Sequence, residues 1–313
     1  MTRKQVIILG IVLAGALALG LVMFLWNWTS VQREEPVRLK VGFSPDWEYG
    51  SRKRLAHKLT NQAPAELEKV VRYFNEEFRP DIVIGGGDYV ESSGVKPEKA
   101  KEQLREINAI FEKLDAPRRY ALGNHDMRSL SKEEVMDILG IDSPHSVTDL
   151  GIWRIVILDT NFDEETDLPR SRKQYAEGYV SARELRWLEA AITTDRPTLV
   201  FSHHSPVMAY NVDNVLTLNI TNQEAVRAVL ERRPNVVAVV SGHTPRVQHI
   251  VTNGVDYFIG DTLVNEEGLG AFAAISLEYF PIAGKVAMRF EHFGRRSETY
   301  EIMKNITIDG NHR

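Results

Sequence analysis

Residues 82–88 of the chain read Ile-Val-Ile-Gly-Gly-Gly-Asp. Three consecutive β-branched residues predict a short buried strand, and the glycines after them predict a sharp turn that ends at an acidic side chain. Residues 119–126, Arg-Tyr-Ala-Leu-Gly-Asn-His-Asp, repeat this pattern of an apolar run, a glycine and polar residues. Ligands of open α/β sheets bind beyond the carboxyl ends of the strands, so both stretches predict a functional site at such an edge.

Strand-like and helix-like segments alternate along most of the chain. Short runs rich in Val and Ile predict strands at 39–43, 82–84, 119–122, 153–158, 198–201 and 236–240. Apolar residues at helical spacing predict helices at 65–78, 97–114, 132–139, 182–192 and 222–231. Closely spaced strands follow at 248–252, 256–259, 272–279, 286–292 and 299–302. The alternation predicts an α/β fold, and the late strands predict mixed sheets with an antiparallel half.

The N-terminal segment predicts a membrane anchor. Residues 6–26 carry no charge, and a helix of that length spans the roughly 30 Å hydrocarbon core of a bilayer. A cleaved signal peptide is the alternative, because Arg3 and Lys4 precede the run, but the run exceeds the ~7 to 15 apolar residues typical of such peptides. The basic N-terminus predicts a single-pass protein of the cell membrane, with its N-terminus cytoplasmic and its folded domain extracytoplasmic. We therefore expect an anchor at 1–30, a linker at 31–37, a domain at 38–304 and a tail at 305–313.

The composition excludes several kinds of site. The 313 residues are 43% hydrophobic, which suffices for a substantial core, and they include no cysteine. Disulfides, thiolate nucleophiles and thiolate-bound metals are therefore excluded. The net charge is −5 at pH 7. Because residues 1–30 hold two basic residues and no acid, the remainder is more acidic still, and no stable nucleic-acid partner is expected.

Polar side chains follow five of the predicted strands. They are Asp46 and Glu48, Asp88, Asn124 with His125 and Asp126, the pair His203 and His204, and His243. A lone Asp at such a place is usually a cap or turn residue, and a lone His is usually structural. Five sets at one edge instead offer carboxylate, amide and imidazole ligands to one or two divalent metal ions.

The ordered set of motifs resembles the calcineurin-like metallophosphoesterases, whose pattern is D-x-H, G-D, G-N-H-D/E, a later H and G-H-x-H. Here it stands as Asp46-Trp47-Glu48, Gly87-Asp88, Gly123-Asn124-His125-Asp126, His203 and Gly242-His243-Thr244-Pro245. The resemblance covers residues 38–290. It implies a four-layer α/β/β/α sandwich of mixed sheets and a metal-dependent phosphoesterase that hydrolyses a phosphomonoester or phosphodiester by attack of a metal-bound hydroxide.

The resemblance also assigns the second of two metal sites. Asp88 would bridge both ions, while Asn124, His203 and His243 would complete the second site. His204 is the alternative to His203, because the two histidines are adjacent. Iron or zinc is possible at this site.

The first metal site departs from the family pattern at two positions. The pattern would use Asp46 and two histidines, but Glu48 and Pro245 stand at the histidine positions. One interpretation keeps the ion in an oxygen-only site of Asp46, Glu48 and Asp88, which favours Mn²⁺. In the other interpretation, the protein has lost this ion. It is then a one-metal relative, catalytically weak or inactive, that acts as a binding module.

Two residues receive catalytic roles from the resemblance. His125 would donate a proton to the leaving oxygen, and Asp126 would orient the His125 ring and raise its pKa. For Asp126 a helix N-cap is the structural alternative. The expected partners are a phosphate-ester substrate and, through the N-terminal helix, a lipid bilayer.

Overall fold

The computed structural model describes residues 34–267, 269–294 and 297–306. The predicted transmembrane segment lies outside these residues, as do the first part of the predicted linker and most of the predicted tail. Within the described ranges, no helix has both the length and the apolar character needed to cross a bilayer.

The first large sheet contains six strands, and it is half parallel and half antiparallel. Its strands are β1 (Val37–Ser44), β2 (Ile82–Gly85), β3 (Arg118–Tyr120), β12 (Phe272–Phe280), β13 (Lys285–Phe293) and β14 (Glu298–Asn305). The order across the sheet is β14-β13-β12-β1-β2-β3. The early strands pair in parallel and the late strands pair antiparallel.

The second large sheet also contains six strands. They are β4 (Ser146–Leu150), β5 (Trp153–Leu158), β6 (Thr198–Ser202), β9 (Val236–Ser241), β10 (Gln248–Thr252) and β11 (Val255–Ile259), in the order β10-β11-β9-β6-β5-β4. The four central strands run parallel, and β4 and β10 pair antiparallel at the edges. β7 (Ala209–Tyr210) and β8 (Leu216–Thr217) form a small hairpin, which lies between β6 and β9 in the sequence. The prediction of an α/β fold with mixed sheets is confirmed, although β4, β7 and β8 were not predicted.

Five α-helices flank the sheets. They are α1 (Ala63–Tyr73), which continues as a π-helical turn over Phe74–Phe78, α2 (Pro97–Phe111), α3 (Lys132–Leu139), α4 (Ala182–Ile192) and α5 (Gln223–Leu230). Capping residues set several of their starts. Ser131 and Glu134 form a reciprocal capping box at α3, and Ser181 accepts a hydrogen bond from the Glu184 amide at α4.

Three apolar clusters separate the layers. In the first cluster, α1, α2 and α3 pack on one face of the first sheet, for example Leu67 and Leu104 against Val83. In the second, Ile84 and its neighbours face Phe201 and the inner side of the second sheet. In the third, α4 and α5 cover the outer side of the second sheet. The order is helices, sheet, sheet, helices.

Strand register brings the polar loops to one edge. Ser44 at the end of β1 pairs with Gly85 at the end of β2, and Ser202 at the end of β6 pairs with Ser241 at the end of β9. The residues that follow these strand ends are those that the sequence selected as site residues. The edge therefore collects side chains from both sheets.

Candidate metal centre

The loops that follow the strands are joined by backbone hydrogen bonds. The Asp46 amide donates to the Gly87 carbonyl at 2.9 Å, and the Glu48 amide donates to the Asp88 carbonyl at 2.7 Å. The two sheets meet where the His243 amide donates to the Asp46 carboxylate at 2.9 Å. The site is thus built on a hydrogen-bonded frame that spans both sheets.

Four residues of this frame have left-handed backbone conformations. Their φ angles are 51° at Asp46, 46° at Glu48, 52° at Asp88 and 67° at His243. Such a conformation in a non-glycine residue costs on the order of 1 kcal/mol and persists only where the surroundings enforce it. Four residues with this strained conformation lie at the same sheet edge, and such clusters are typical of functional sites.

Two glycines allow the loops to approach this closely. A Cβ atom on Gly87, whose φ is 90°, would lie 2.7 Å from Nδ1 of His203. A Cβ atom on Gly242 would lie 2.3 Å from a carboxylate oxygen of Asp46. Any side chain at either position would therefore displace a site residue.

Three donor atoms converge on one point, and an oxygen of Asp88 lies beside one of them. Oδ1 of Asn124 lies 3.1 Å from Nε2 of His203 and 3.1 Å from Nδ1 of His243, and those two nitrogens are 3.2 Å apart. Oδ2 of Asp88 lies 3.3 Å from Nε2 of His203. Ligands held ~2.1 Å from an ion lie roughly 3.0 to 3.4 Å from one another in octahedral or tetrahedral geometry. These residues, which were predicted as the second metal site, have the spacing of a divalent-metal site.

The two adjacent histidines have different surroundings. Nδ1 of His203 bonds to the Gly86 carbonyl at 2.8 Å, which leaves Nε2 turned toward Asp88 and Asn124. Both nitrogens of His204 have protein partners, the Thr160 hydroxyl at 2.7 Å and the Ala176 carbonyl at 3.1 Å. His204 also groups with His203 and His243 by distance alone. The hydrogen bonds favour His203 as the ligand.

The electrostatics of the cluster suit a bound cation. Burial raises the pKa of Asp88 most strongly, but the opposing charges of His125 and His203 hold that pKa well below its usual value. Burial raises the pKa of Asp46 well above normal, and Asp88 and Glu48 raise it further. Burial, followed by His203, lowers the pKa of His243, so this imidazole is neutral, which is the form that binds metal. A divalent ion would relieve the repulsion among the buried carboxylates.

Glu48 belongs to a neighbouring group of charges. Its Oε1 atom pairs with the Lys58 ammonium, and its buried Oε2 atom has no hydrogen-bond partner. Glu48, Glu91 and His125 offer ligand atoms within 4.8 Å of one another, whereas Asp46 groups in the same way with Asp88 and His203. The three carboxylates predicted for the first metal site thus lie in two different groups.

Lys58 retains its charge in this buried position. Burial alone would lower the pKa of its ammonium, but the charge of Glu48 and the hydrogen bond to it, followed by Glu91, raise that pKa above its usual value. One carboxylate of the predicted oxygen-only first metal site is therefore paired with a cation through Oε1, while its Oε2 atom has no partner, and that site stays a prediction.

His125 is oriented by Glu91. Its Nδ1 atom lies 2.5 Å from Oε2 of Glu91, and its Nε2 atom lies 3.8 Å from Oδ2 of Asp88. The ring therefore presents Nε2 to the metal centre, where a proton donor to a leaving group would be needed.

Asp126 is held by the backbone of two loops. Its two oxygens accept hydrogen bonds from the amides of Asp88, Tyr89, Val90 and Gly123, at 2.6 to 3.1 Å. Both oxygens of this carboxylate are therefore engaged by backbone amides. Asp126 fixes the loop that carries Asp88, and it caps no helix.

Sequence reasoning missed Glu91 and Lys58. Glu91 stands three residues after Asp88, and this short separation after a strand end is a usable signal. Lys58 lies in a basic stretch without regular structure, where no pattern distinguishes it from Lys53 or Arg54.

The comparisons with known proteins agree with this geometry. Residues 56–247 match the family model described as calcineurin-like phosphoesterase. The dimetal phosphatase of Danio rerio has the same fold, with a TM-score of 0.67, 18% sequence identity and coverage of 87% of this chain and 100% of that one.

Two curated bacterial relatives are similar over part of the chain. One is the 3',5'-cyclic adenosine monophosphate phosphodiesterase CpdA of Pseudomonas aeruginosa, 28% identical over 56% of this chain and 59% of its own length. The other is the glycerophosphodiester phosphodiesterase GpdQ of Enterobacter lignolyticus, 27% identical over 53% of this chain and 56% of its own length. The match thus spans less than two thirds of either relative.

The family model covers more than half of the chain, and its matched region contains most of the converging residues. The resemblance inferred from the motifs is confirmed: the two curated relatives are named as phosphodiesterases, and the structural neighbour is named as a dimetal phosphatase. The chain belongs to the calcineurin-like phosphoesterase family.

Proposed function

We propose that this protein is a membrane-tethered hydrolase of phosphodiesters that uses a divalent metal ion held by Asp88, Asn124, His203 and His243. The observation that carries the proposal is the convergence of donor atoms from Asn124, His203 and His243, with an Asp88 oxygen between His203 and the His125 ring. A divalent metal ion at this place supplies Lewis-acid polarisation of a phosphoryl oxygen and lowers the pKa of water. We would supply Mn²⁺ alongside Zn²⁺ and Fe²⁺, because the oxygen donors suit the first ion and the two imidazoles suit the other two.

The protein's own residues position the reaction. Asn124 is fixed because its amide nitrogen donates to the Tyr175 carbonyl at 2.9 Å, so its oxygen faces His203 and His243. His203 is fixed by the hydrogen bond between its Nδ1 atom and the Gly86 carbonyl. Asp88 is fixed because its Oδ1 atom accepts a hydrogen bond from the His125 amide at 2.7 Å. These contacts hold the ligands before substrate arrives, which reduces the reorganisation needed in the transition state.

His125 is the proton donor in this proposal. Glu91 holds the ring through Nδ1, so the proton on Nε2 is available to the oxygen of the departing alcohol. The alcohol leaves as a neutral molecule when this proton is transferred as the phosphorus–oxygen bond breaks. A leaving group with a high pKa therefore depends most strongly on His125.

Two observations support a phosphodiester rather than a monoester. Both curated relatives are named as phosphodiesterases. The pairing of Glu48 with Lys58 leaves less uncompensated positive charge to receive a phosphate group, which suits the single charge of a diester better than the two charges of a monoester.

An exposed apolar hairpin beside the site suggests what the substrate carries. Tyr210, Val215 and Leu216 are each about half exposed, and Asn214 at the tip accepts a hydrogen bond from Arg246, which follows Pro245. Exposed apolar side chains concentrated in one segment are unusual for a protein surface and commonly mark binding sites. We infer that the hairpin contacts an apolar substituent of the diester.

The tether is proposed from the uncharged run of residues 6–26, which would hold the folded domain at the outer face of a cell membrane. Its test is fractionation: the full-length protein should sediment with membranes and resist extraction by carbonate, whereas a chain that lacks residues 1–30 should be recovered in the supernatant. Equal extraction of the two forms would contradict the tether.

The hydrolase is tested with the full-length protein in detergent. After chelation and dialysis, Mn²⁺ should restore hydrolysis of bis-p-nitrophenyl phosphate, and the diester should be preferred to p-nitrophenyl phosphate by kcat/KM. The variant H125A is the control for contaminating activity. No metal-dependent turnover of either ester would contradict the proposal.

A binding module is the second candidate, and the ion pair between Glu48 and Lys58 favours it, because this pair stands where a relative with two metals would place its first ion. In that case the protein would bind Mn²⁺ and inorganic phosphate yet hydrolyse neither ester.

A further inference from the structure

Lys58 is held in place by two separate parts of the chain. Its backbone pairs with Leu55 through two hydrogen bonds of 2.9 Å, and it forms an isolated bridge with Asn265. The next residue, Leu59, donates to the Val264 carbonyl at 2.9 Å. This short segment thus pairs with the loop at 262–267, so the position of the Lys58 side chain is set by the fold.

The Lys58 ammonium reaches into the metal centre. Its side chain is 15% exposed, it pairs with Oε1 of Glu48, and it lies 3.9 Å from Oε2 of Glu91. A lysine is rarely buried to this extent without a structural or functional reason, because desolvating its charge is costly.

Lys58 lies where both departures from the family pattern occur. Glu48 occupies one histidine position and is the partner of the ammonium. Pro245 occupies the other, and its carbonyl accepts a hydrogen bond from Asn265, the residue bridged to Lys58. The three residues therefore form one connected unit in which a carboxylate and a cation stand in place of two imidazoles.

The charges on this side of the site are already balanced. Lys58 compensates Glu48, and Arg128 lies 3.6 Å from Oε1 of Glu91. A divalent ion bound to Glu48 would stand within a few ångströms of the ammonium, and the repulsion between them would be screened little in a buried site.

We propose that the Lys58 ammonium replaces one of the two divalent ions of a dimetal phosphoesterase, so that this chain binds a single divalent ion and presents Lys58 to the phosphoryl group. The proposal rests on the proposed phosphodiester hydrolase. Glu48 acts as a positioning residue that directs the ammonium toward the substrate. The unpartnered Oε2 atom of Glu48 and the group of Asp46, Asp88 and His203 are the places where a second ion could bind, so the number of bound ions tests the proposal directly.

The first measurement is metal stoichiometry, which does not depend on turnover. The full-length protein in detergent is stripped with chelator and titrated with Mn²⁺ by calorimetry, and bound metal is counted by mass spectrometry after dialysis. We expect one ion per chain in the wild type and in K58M, and none in N124A/H243A. The triple variant E48H/K58A/P245H restores the two imidazoles and should bind two. Two ions in the wild type would overturn the proposal.

The second measurement is the binding of inorganic phosphate to the Mn²⁺-loaded protein. K58M should weaken phosphate inhibition and lower kcat/KM for the diester by about 10²-fold, the loss seen when one transition-state donor is removed. K58R keeps the positive charge, so it should recover part of the phosphate inhibition and part of the kcat/KM. K53M, which alters an exposed lysine of the same stretch, is the matched control and should resemble wild type.

The results separate the two proposals. One ion per chain with weaker phosphate binding in K58M but no turnover in the wild type would support the role of Lys58 and contradict the hydrolase. Turnover with two bound ions would support the hydrolase and overturn the role of Lys58. If K58M does not fold, as judged by circular dichroism, the phosphate affinity of K58R and the number of ions bound by the wild type still test the role of Lys58. Unchanged phosphate affinity in a folded K58M would also overturn that role.

Discussion

Oε2 of Glu91 lies 2.5 Å from Nδ1 of His125, and this contact turns the opposite nitrogen of the ring toward Asp88. A carboxylate in this position fixes the orientation of the ring. Glu91 thus orients His125, which the sequence suggested Asp126 would do.

Glu91→Gln should lower kcat about tenfold while leaving KM and metal content unchanged, because the ring loses its charged partner but stays in place. His125→Ala should lower kcat further, by about 10² to 10⁴, since general acid catalysis contributes that much. Steady-state kinetics on bis-p-nitrophenyl phosphate measure both, with metal counted in parallel. Glu98→Gln, an exposed change, is the control. Loss of metal in Glu91→Gln would show that Glu91 is a ligand.

His203→Ala should empty the metal site, whereas His204→Gln should keep it, because both nitrogens of His204 already have protein partners. His204→Gln is expected to lower the melting temperature, since it disturbs two buried hydrogen bonds. Metal content after dialysis and thermal unfolding separate the two effects. Retention of the ion in His203→Ala would reverse the assignment.

Glu91 should also contribute to stability in a defined range of pH. Burial raises its pKa, but the hydrogen bond and charge of His125 lower it overall to about 2, from an ordinary 4.5. Its contribution is therefore complete above pH 4.5 and disappears as the pH falls toward 2.

Urea unfolding of metal-free protein at several pH values measures this contribution. Wild type should exceed Glu91→Gln by on the order of 2 kcal/mol at pH 7, and the difference should shrink between pH 4.5 and pH 2. A difference that stays constant with pH would mean that the substitution acts through packing instead.

The hairpin is expected to act on KM rather than on kcat. Tyr210→Ser with Val215→Ser removes two exposed apolar side chains and should raise KM for a diester with a long alkyl chain several-fold, with little change for bis-p-nitrophenyl phosphate. Val251→Ser, an exposed apolar residue on an edge strand, is the matched control. Equal effects on both substrates would contradict a role in recognising the apolar group.

The sequence predicted those parts of the site that directly follow strands. Asp88, Asn124, His203 and His243 each come within four residues of a strand end, and parallel pairing requires such ends to meet. Lys58 could not be predicted in this way, because its position depends on a bridge to Asn265, more than two hundred residues later. The hydrogen bonds of Asp126 to four amides could not be predicted either, because adjacency to His125 in sequence does not determine which groups a side chain contacts.

The four amides bound by Asp126 belong to two different loops, residues 88–90 and residue 123. One carboxylate therefore ties the loop that carries Asp88 to the loop that carries Asn124, and it does so without any ion. The polypeptide should consequently hold the ligands in place before the ion binds. Metal binding should then resemble binding to a rigid chelator more than a folding reaction. Its rate would then be governed by loss of water from the ion, and amide exchange in both loops would be slow before the ion arrives.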